Sequence, residues 1–181
     1  GAGLLRDVTV LAFLGLHAMA IPVAETIQSG LACSWIGAPS VSPAERLEAL
    51  VPHLRNAWGL KLGMCAMEER ELTALLQRLD ALAPTVRIWD PILAPSRGTG
   101  LHDAARLRSL ASLILGQGSW VVSPNRPEAA ALGGLERPSG GMDPAALARP
   151  LLERGARAVW LKGGHDTGPW VEDFWIDADG A

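Results

Sequence analysis

Tyrosine is absent from this chain of 181 residues, phenylalanine and cysteine each occur only 2 times, and 7 tryptophans carry most of the aromatic content. Cys33 and Cys65 stand far apart in apolar surroundings, with neither a C-x-x-C nor a Cys/His spacing, so the sequence holds no disulfide framework and no zinc signature. Buried free thiols in a reducing cytoplasm are the expectation. No apolar run reaches the roughly 18 residues of a bilayer span, and the start lacks the basic flank and cleavage pattern of a signal peptide, which argues against a membrane. The net charge of −3 leaves no basic excess to favour nucleic acid. A P-loop is set aside because Gly-x-x-x-x-Gly-Lys-Ser/Thr is missing, and a dinucleotide fingerprint because Arg6 stands where Gly1-Ala2-Gly3 would need its third glycine. The tryptophans read as bulk packing or apolar surface.

What is present is an alternation of strand-length apolar runs with segments of helical period. Helices are expected over 3–14, from Ser42-Pro43-Ala44-Glu45 onward, over 68–82 with its repeated leucines, over 103–115 and after Asp143-Pro144. Ser42 supplies an N-cap oxygen, Pro43 a pre-set first turn and Glu45 an acid three residues after the cap. Strands are expected over 17–28 with its exit loop, 59–64, 86–93, 120–123 and 158–162, with a further antiparallel strand starting at 173–176. Strands interleaved with helices imply an α/β class with a mostly parallel sheet and helices on both faces. No linker, repeat or low-complexity tract divides residues 1–181, so one domain is expected. A Gly-Ala-Gly turn that normally follows a strand opens the chain, and a turn signal closes it, so we expect the fold to lack its first strand and a C-terminal segment in these residues.

Two motifs sit where apolar strands end: Ser123-Pro124-Asn125-Arg126-Pro127-Glu128 and Leu161-Lys162-Gly163-Gly164-His165. Carboxyl ends of parallel strands are where open α/β sheets bind ligands. The Glu and Asn offer oxygens to a hard cation and the Lys a point charge to phosphate, a set suited to a metal-bound polyphosphate. Each residue also has a plainer reading. Asn125 and Glu128 serve equally as a helix cap and first-turn acid, Asp90 before Pro91 as the start of a turn, and Lys162 as a solvated strand end. Met64 is a core residue by default, and His17 and His165 read as ordinary surface or packing histidines.

Taken together, Gly1-Ala2-Gly3-Leu4-Leu5-Arg6-Asp7, Gln28, Lys61-Leu62-Gly63-Met64, Asp90-Pro91-Ile92-Leu93, Ser123-Pro124-Asn125-Arg126-Pro127-Glu128-Ala129 and Lys162-Gly163-Gly164-His165 resemble, in order and spacing, the hydroxymethylpyrimidine/phosphomethylpyrimidine kinases. These are thiamine-pathway members of the ribokinase-like superfamily. The resemblance covers nearly the whole chain and implies a three-layer α/β/α fold, ATP and Mg2+ as cofactors, and a small pyrimidine as substrate. It leaves a homodimer open. It places Ala2, Gly3 and Asp7 at the border of the pyrimidine pocket, Gln28 on the aminopyrimidine edge, and Met64 and Ile92 against the ring. Asp90, Asn125 and Glu128 would organise the metal and its waters, with Asn125 and Lys162 toward the nucleotide and Lys162 touching the transferring phosphate. Phosphoryl transfer of this kind asks mainly for positioning and charge neutralisation. The superfamily keeps its general base in a Gly-rich segment, Gly-x-Gly-Asp or a cysteine variant, which these residues do not contain.

Inside the matched region the family's Gln-Asn-Thr is replaced by Gln28-Ser29-Gly30, and the stretch 31–37, with Cys33 and Trp35, departs from the usual loop. Two other readings therefore stand beside the first. One is a pyridoxal-type vitamin kinase of the same superfamily; the other is a kinase-like domain that binds a pyrimidine without turning it over.

Overall fold

The computed structural model describes residues 3–28, 33–93, 104–135, 142–163 and 170–180. The opening helix forms as α1 (Leu4–Phe13), entered through Gly3 at φ 65, a left-handed conformation in which a side chain would be strained. No residue of α1 is buried. The strand expected over 17–28 is largely irregular: β1 (Glu25–Gln28) alone forms, and it pairs antiparallel with β2 (Cys33–Gly37) as a separate two-stranded sheet. Pro22, which has no N–H to give a ladder, stands in the irregular part.

From α2 (Pro43–Leu54) onward the structure follows the sequence signals closely. Ser42 Oγ accepts the Ala44 N–H at 3.2 Å, and Pro43 takes the first helical position, where a missing N–H costs nothing. The sheet that follows comprises β3 (Gly59–Leu62), β4 (Val86–Trp89), β5 (Val121–Val122) and β6 (Ala158–Leu161), parallel and adjacent in that order, with β7 (Phe174–Asp177) antiparallel along β6. The links are α3 (Glu69–Ala81), α4 (Ala104–Leu115) and the pair α5 (Arg126–Gly133) and α6 (Pro144–Glu153). Each crossover steps to the next strand in the same direction, and α3 to α6 pack each against the next, which sets these helices side by side along the sheet.

Their apolar stripes meet one register layer of the sheet. Leu62, Trp89, Val122, Val159 and Ile176 stand side by side across all strands and are all buried. Against that layer the core gathers Leu72, Leu75, Leu76 and Leu79, the helical repeat read from the sequence in α3. Fully burying one such side chain is worth about 1.5–3 kcal/mol, so each member of this layer adds appreciably to the sheet's cohesion. Cys65 is a free, buried thiol within the same core, and burial raises its pKa. The opposite face of the sheet is less covered: Trp160 and Trp175, paired across β6 and β7, remain 42% and 52% exposed. Here the tryptophan reading splits, with Trp89 and Trp120 serving as packing and this pair as apolar surface.

Strand β4 stops at Trp89 rather than running to residue 93. Pro91 cannot donate to a ladder, and the Ile92 N–H turns back onto the Asp90 carbonyl at 3.0 Å. The segment after residue 125 is α5, an element the strand-and-helix reading passed over although its cap residues were noted.

Candidate active site

Strands β4, β5 and β6 end on the same edge of the sheet, and their ladder continues just past the regular strands. The Asp90 N–H donates to the Leu62 carbonyl, the Ser123 N–H to Trp89 and the Lys162 N–H to Pro124, each at 2.8 Å. Asp90 and Lys162 are thus fixed by backbone pairing at neighbouring strand tips, and Asn125 faces Lys162 through a parallel bridge. Across this edge Lys162 Nζ donates to Asp90 Oδ1 at 2.8 Å. Gly163 keeps the tip tight: a methyl there would run into the Glu172 carbonyl, and its N–H donates to Asp173 Oδ1 at 2.9 Å. Only glycine lets the chain entering β7 cross so closely.

Asn125 and Glu128 form a reciprocal cap at the start of α5. Asn125 Oδ1 accepts the Glu128 N–H at 2.9 Å, and Glu128 Oε2 accepts the Asn125 N–H at 2.8 Å. The structural role weighed from sequence is therefore real, and it fixes both side chains at the strand edge. Glu128 Oε1 also accepts the Leu93 N–H at 3.5 Å. Glu128 is only 6% exposed, and burial is the main cause holding its carboxyl above the usual carboxylate range. The Asn125 N–H and the Lys162 charge pull it back down, while the nearby Asp90 charge pushes it up.

A residue to which the sequence reading gave no role completes the cluster. Lys61, on β3, places Nζ 2.7 Å from both carboxylate oxygens of Asp7 and 3.7 Å from Asp90 Oδ2. Asp7, Lys61, Asp90 and Lys162 thus form one alternating string of charge running from α1 across β3 and β4 to β6. The signal that could have singled out Lys61 is compositional. Of the 16 Lys and Arg residues, Lys61 and Lys162 are the sole lysines, and both are paired to the same carboxylate.

The other expected residues fall as follows. Met64 and Ile92 are half-buried and border one recess with Gly63, Cys65, Trp89 and Pro91. Gly3 starts the helix that carries Asp7, whose N–H it receives at 3.1 Å. Gln28 ends β1 by its backbone, and its side chain lies outside what the structure describes. Ala2 and His165 lie outside the described residues, and His17 is exposed.

Among the described residues no three His, Cys, Asp or Glu side chains converge on a point. A divalent cation would draw instead on two carboxylates, Asp90 and Glu128, with the Asn125 amide and water, a donor set of hard oxygens. That set fits such an ion by its chemistry: each Glu128 carboxylate oxygen accepts one backbone N–H and retains a second acceptor direction.

Solved structures share this architecture. A phosphomethylpyrimidine kinase from Clostridium difficile superposes with a TM-score of 0.79 at 20% identity, over 99% of this chain and 76% of that one. A Staphylococcus aureus pyridoxal kinase in complex with pyridoxal gives a TM-score of 0.78 at 20% identity, over 98% of this chain and 63% of the other. The chain is thus an α/β protein of the ribokinase-like fold.

The phosphomethylpyrimidine kinase family model matches residues 1–181, and the chain belongs to that family. The hydroxymethylpyrimidine/phosphomethylpyrimidine kinase of Synechococcus elongatus is 32% identical over 185 residues, which span 98% of this chain and 66% of the relative. The enzyme of that name from Mycobacterium tuberculosis is 32% identical over 168 residues, or 91% of this chain and 59% of its own length. A thiamine biosynthesis bifunctional protein of Geobacter sulfurreducens is 30% identical over 166 residues, covering 91% of this chain and 33% of the relative. The chain therefore spans less than two thirds of the length of these curated relatives.

Proposed function

We propose that this chain carries the metal and phosphate edge of an ATP-dependent kinase that phosphorylates hydroxymethylpyrimidine and then its monophosphate, a step of thiamine biosynthesis. The observation that supports this reading most strongly is the juxtaposition of Asp90, Glu128 and Lys162 on neighbouring strand tips, an acid pair and an amine on backbone-fixed positions. Lys162 neutralises the phosphoryl group in flight, and Asp90 holds that ammonium in place until phosphate arrives. Asp90, Asn125 and Glu128 would hold Mg2+, which when bound supplies charge neutralisation to the nucleotide phosphates. The capped start of α5 keeps the Glu128 side chain fixed for that role. Asp7, Gln28, Met64 and Ile92 form the acceptor side, with Ala2 and Gly3 at its border; an amide at Gln28 donates and accepts in one plane, as an aminopyrimidine edge requires. Residues 1–181 act as one unit in this scheme.

A coupled assay of the protein at its native length tests it. Magnesium-dependent ATP consumption is expected with hydroxymethylpyrimidine and its monophosphate, and Lys162→Ala should lower kcat at least about a hundredfold while leaving acceptor affinity near that of the parent. Turnover of pyridoxal alone would transfer the assignment to a vitamin kinase of the same fold. Binding of the pyrimidine with no turnover of any acceptor would make the protein a sensor.

A further inference from the structure

We infer that Lys61 is a second phosphate-binding cation, one that serves the phosphate already carried by a phosphomonoester acceptor. The inference rests on the kinase reading above and concerns what the site must do for two different acceptors. The relatives' shared name couples an uncharged alcohol with its phosphorylated form. A site that takes both needs positive charge for the second acceptor, yet must not leave a bare cation facing the first.

The arrangement around Lys61 meets that requirement. Its side chain is 39% exposed, so the group stands at the surface of the edge, while Asp7 and Asp90 neutralise its ammonium from two sides. Two carboxylates and two ammonium groups balance along the string. An incoming phosphate can take the place of the Asp7 carboxylate on Lys61, exchanging one charge-assisted contact for another. The position is suitable as well: Lys61 projects from the β3 tip beside Asp90, one strand away from the Lys162 that we assign to the transferring group.

Composition points the same way. This chain places arginine at every basic position except these two. Where a charge has only to be solvated, arginine serves, and it keeps a wide planar fork. A compact ammonium that can swing between a carboxylate and a phosphate is the distinct property of lysine.

Steady-state kinetics and calorimetry on the native-length protein test the assignment, with Lys61→Met and Lys61→Arg as variants and hydroxymethylpyrimidine, its monophosphate and ATP as ligands. Lys61→Met should weaken the monophosphate by about tenfold or more, in KM and in calorimetric Kd, and the uncharged alcohol by less than about threefold. Lys61→Arg, which keeps the charge but not the compact ammonium, should recover little of the loss. Equal weakening of both acceptors by Lys61→Met, or full recovery by arginine, would overturn the inference. A rise in the KM for ATP in place of the monophosphate would assign the cation to the donor and overturn it too. Calorimetry needs no turnover, so a failure of the kinase reading shows as absent phosphorylation of both acceptors by the parent, whereas a failure of this inference alone shows as unselective binding by Lys61→Met.

Discussion

The N-terminal region and the five-stranded sheet are built to different standards. Helix α1 buries none of its residues, and Leu5 and Phe13 stand 75% and 89% exposed. Helix α3, of similar length, buries four leucines on one face. The hairpin of β1 and β2 forms a sheet separate from the main one. The residues assigned to phosphate and metal sit on the well-packed part, held by backbone ladders, while Asp7 and Gln28, assigned to the acceptor, sit on the lightly packed part. Among the described residues the proposed transfer edge therefore stands on buried scaffold and the proposed acceptor residues on exposed elements.

The comparison is most exposed to attack at Trp89. That side chain is 1% exposed at the centre of the buried layer, and Trp89→Ala should cost about 3–5 kcal/mol in urea unfolding. A loss below about 1 kcal/mol would mean that the sheet is no better consolidated than α1.

A smaller effect, seen as a slope, belongs to Glu128. Its carboxyl titrates above the ordinary range when folded, so the folded state holds a proton that the unfolded chain has already released. This contribution to stability falls as pH rises from the usual carboxylate pKa through the raised one. Glu128→Gln removes that term. Relative to the parent, the variant's unfolding midpoint should improve steadily as pH rises above the usual carboxylate range, whatever the constant offset between them. Parallel pH profiles, or an opposite trend, would show that Glu128 is not a consolidated part of the edge.

The smallest effect is expected in α1, where Phe13→Ser should change stability by less than about 0.5 kcal/mol, with amides of α1 exchanging far faster than those of β5 and β6. Slow exchange across α1 would erase the contrast between the two regions.

The sequence made the sheet legible wherever local chemistry decides the outcome. Ser42-Pro43 and Asp143-Pro144 announced their helices, and the Asp143 carboxylate indeed accepts the Ala145 N–H at 3.2 Å. The spacing of Leu72, Leu75, Leu76 and Leu79 announced a buried stripe. Legibility failed where pairing is non-local. The apolar character of residues 17–28 says that the segment seeks cover, but the partner of β1 is chosen by residues 33–37, and nothing in the strand itself names them. Strand ends were overrun at 86–93 because an apolar run continues through Pro91 and Ile92 after the ladder has stopped. The placing of Asn125, Glu128 and Lys162 on one edge was legible because motifs at strand tips are aligned by the parallel sheet itself, whereas Asp90 was pointed to by the family resemblance alone. The role of Lys61 was hidden, since an exposed lysine on a strand resembles any solvated side chain until Asp7 and Asp90 are seen around it.

The reciprocal clasp between Asn125 and Glu128 has a bearing on redesign. One carboxyl seals the first turn of α5 and, in the scheme proposed above, also serves the metal, so a change to it bears on both tasks. Asn125→Ser made jointly with Glu128→Gln rebuilds the clasp and should spare stability, yet it still removes the carboxylate assigned to the metal. Folding and turnover measured on that paired variant would therefore part company.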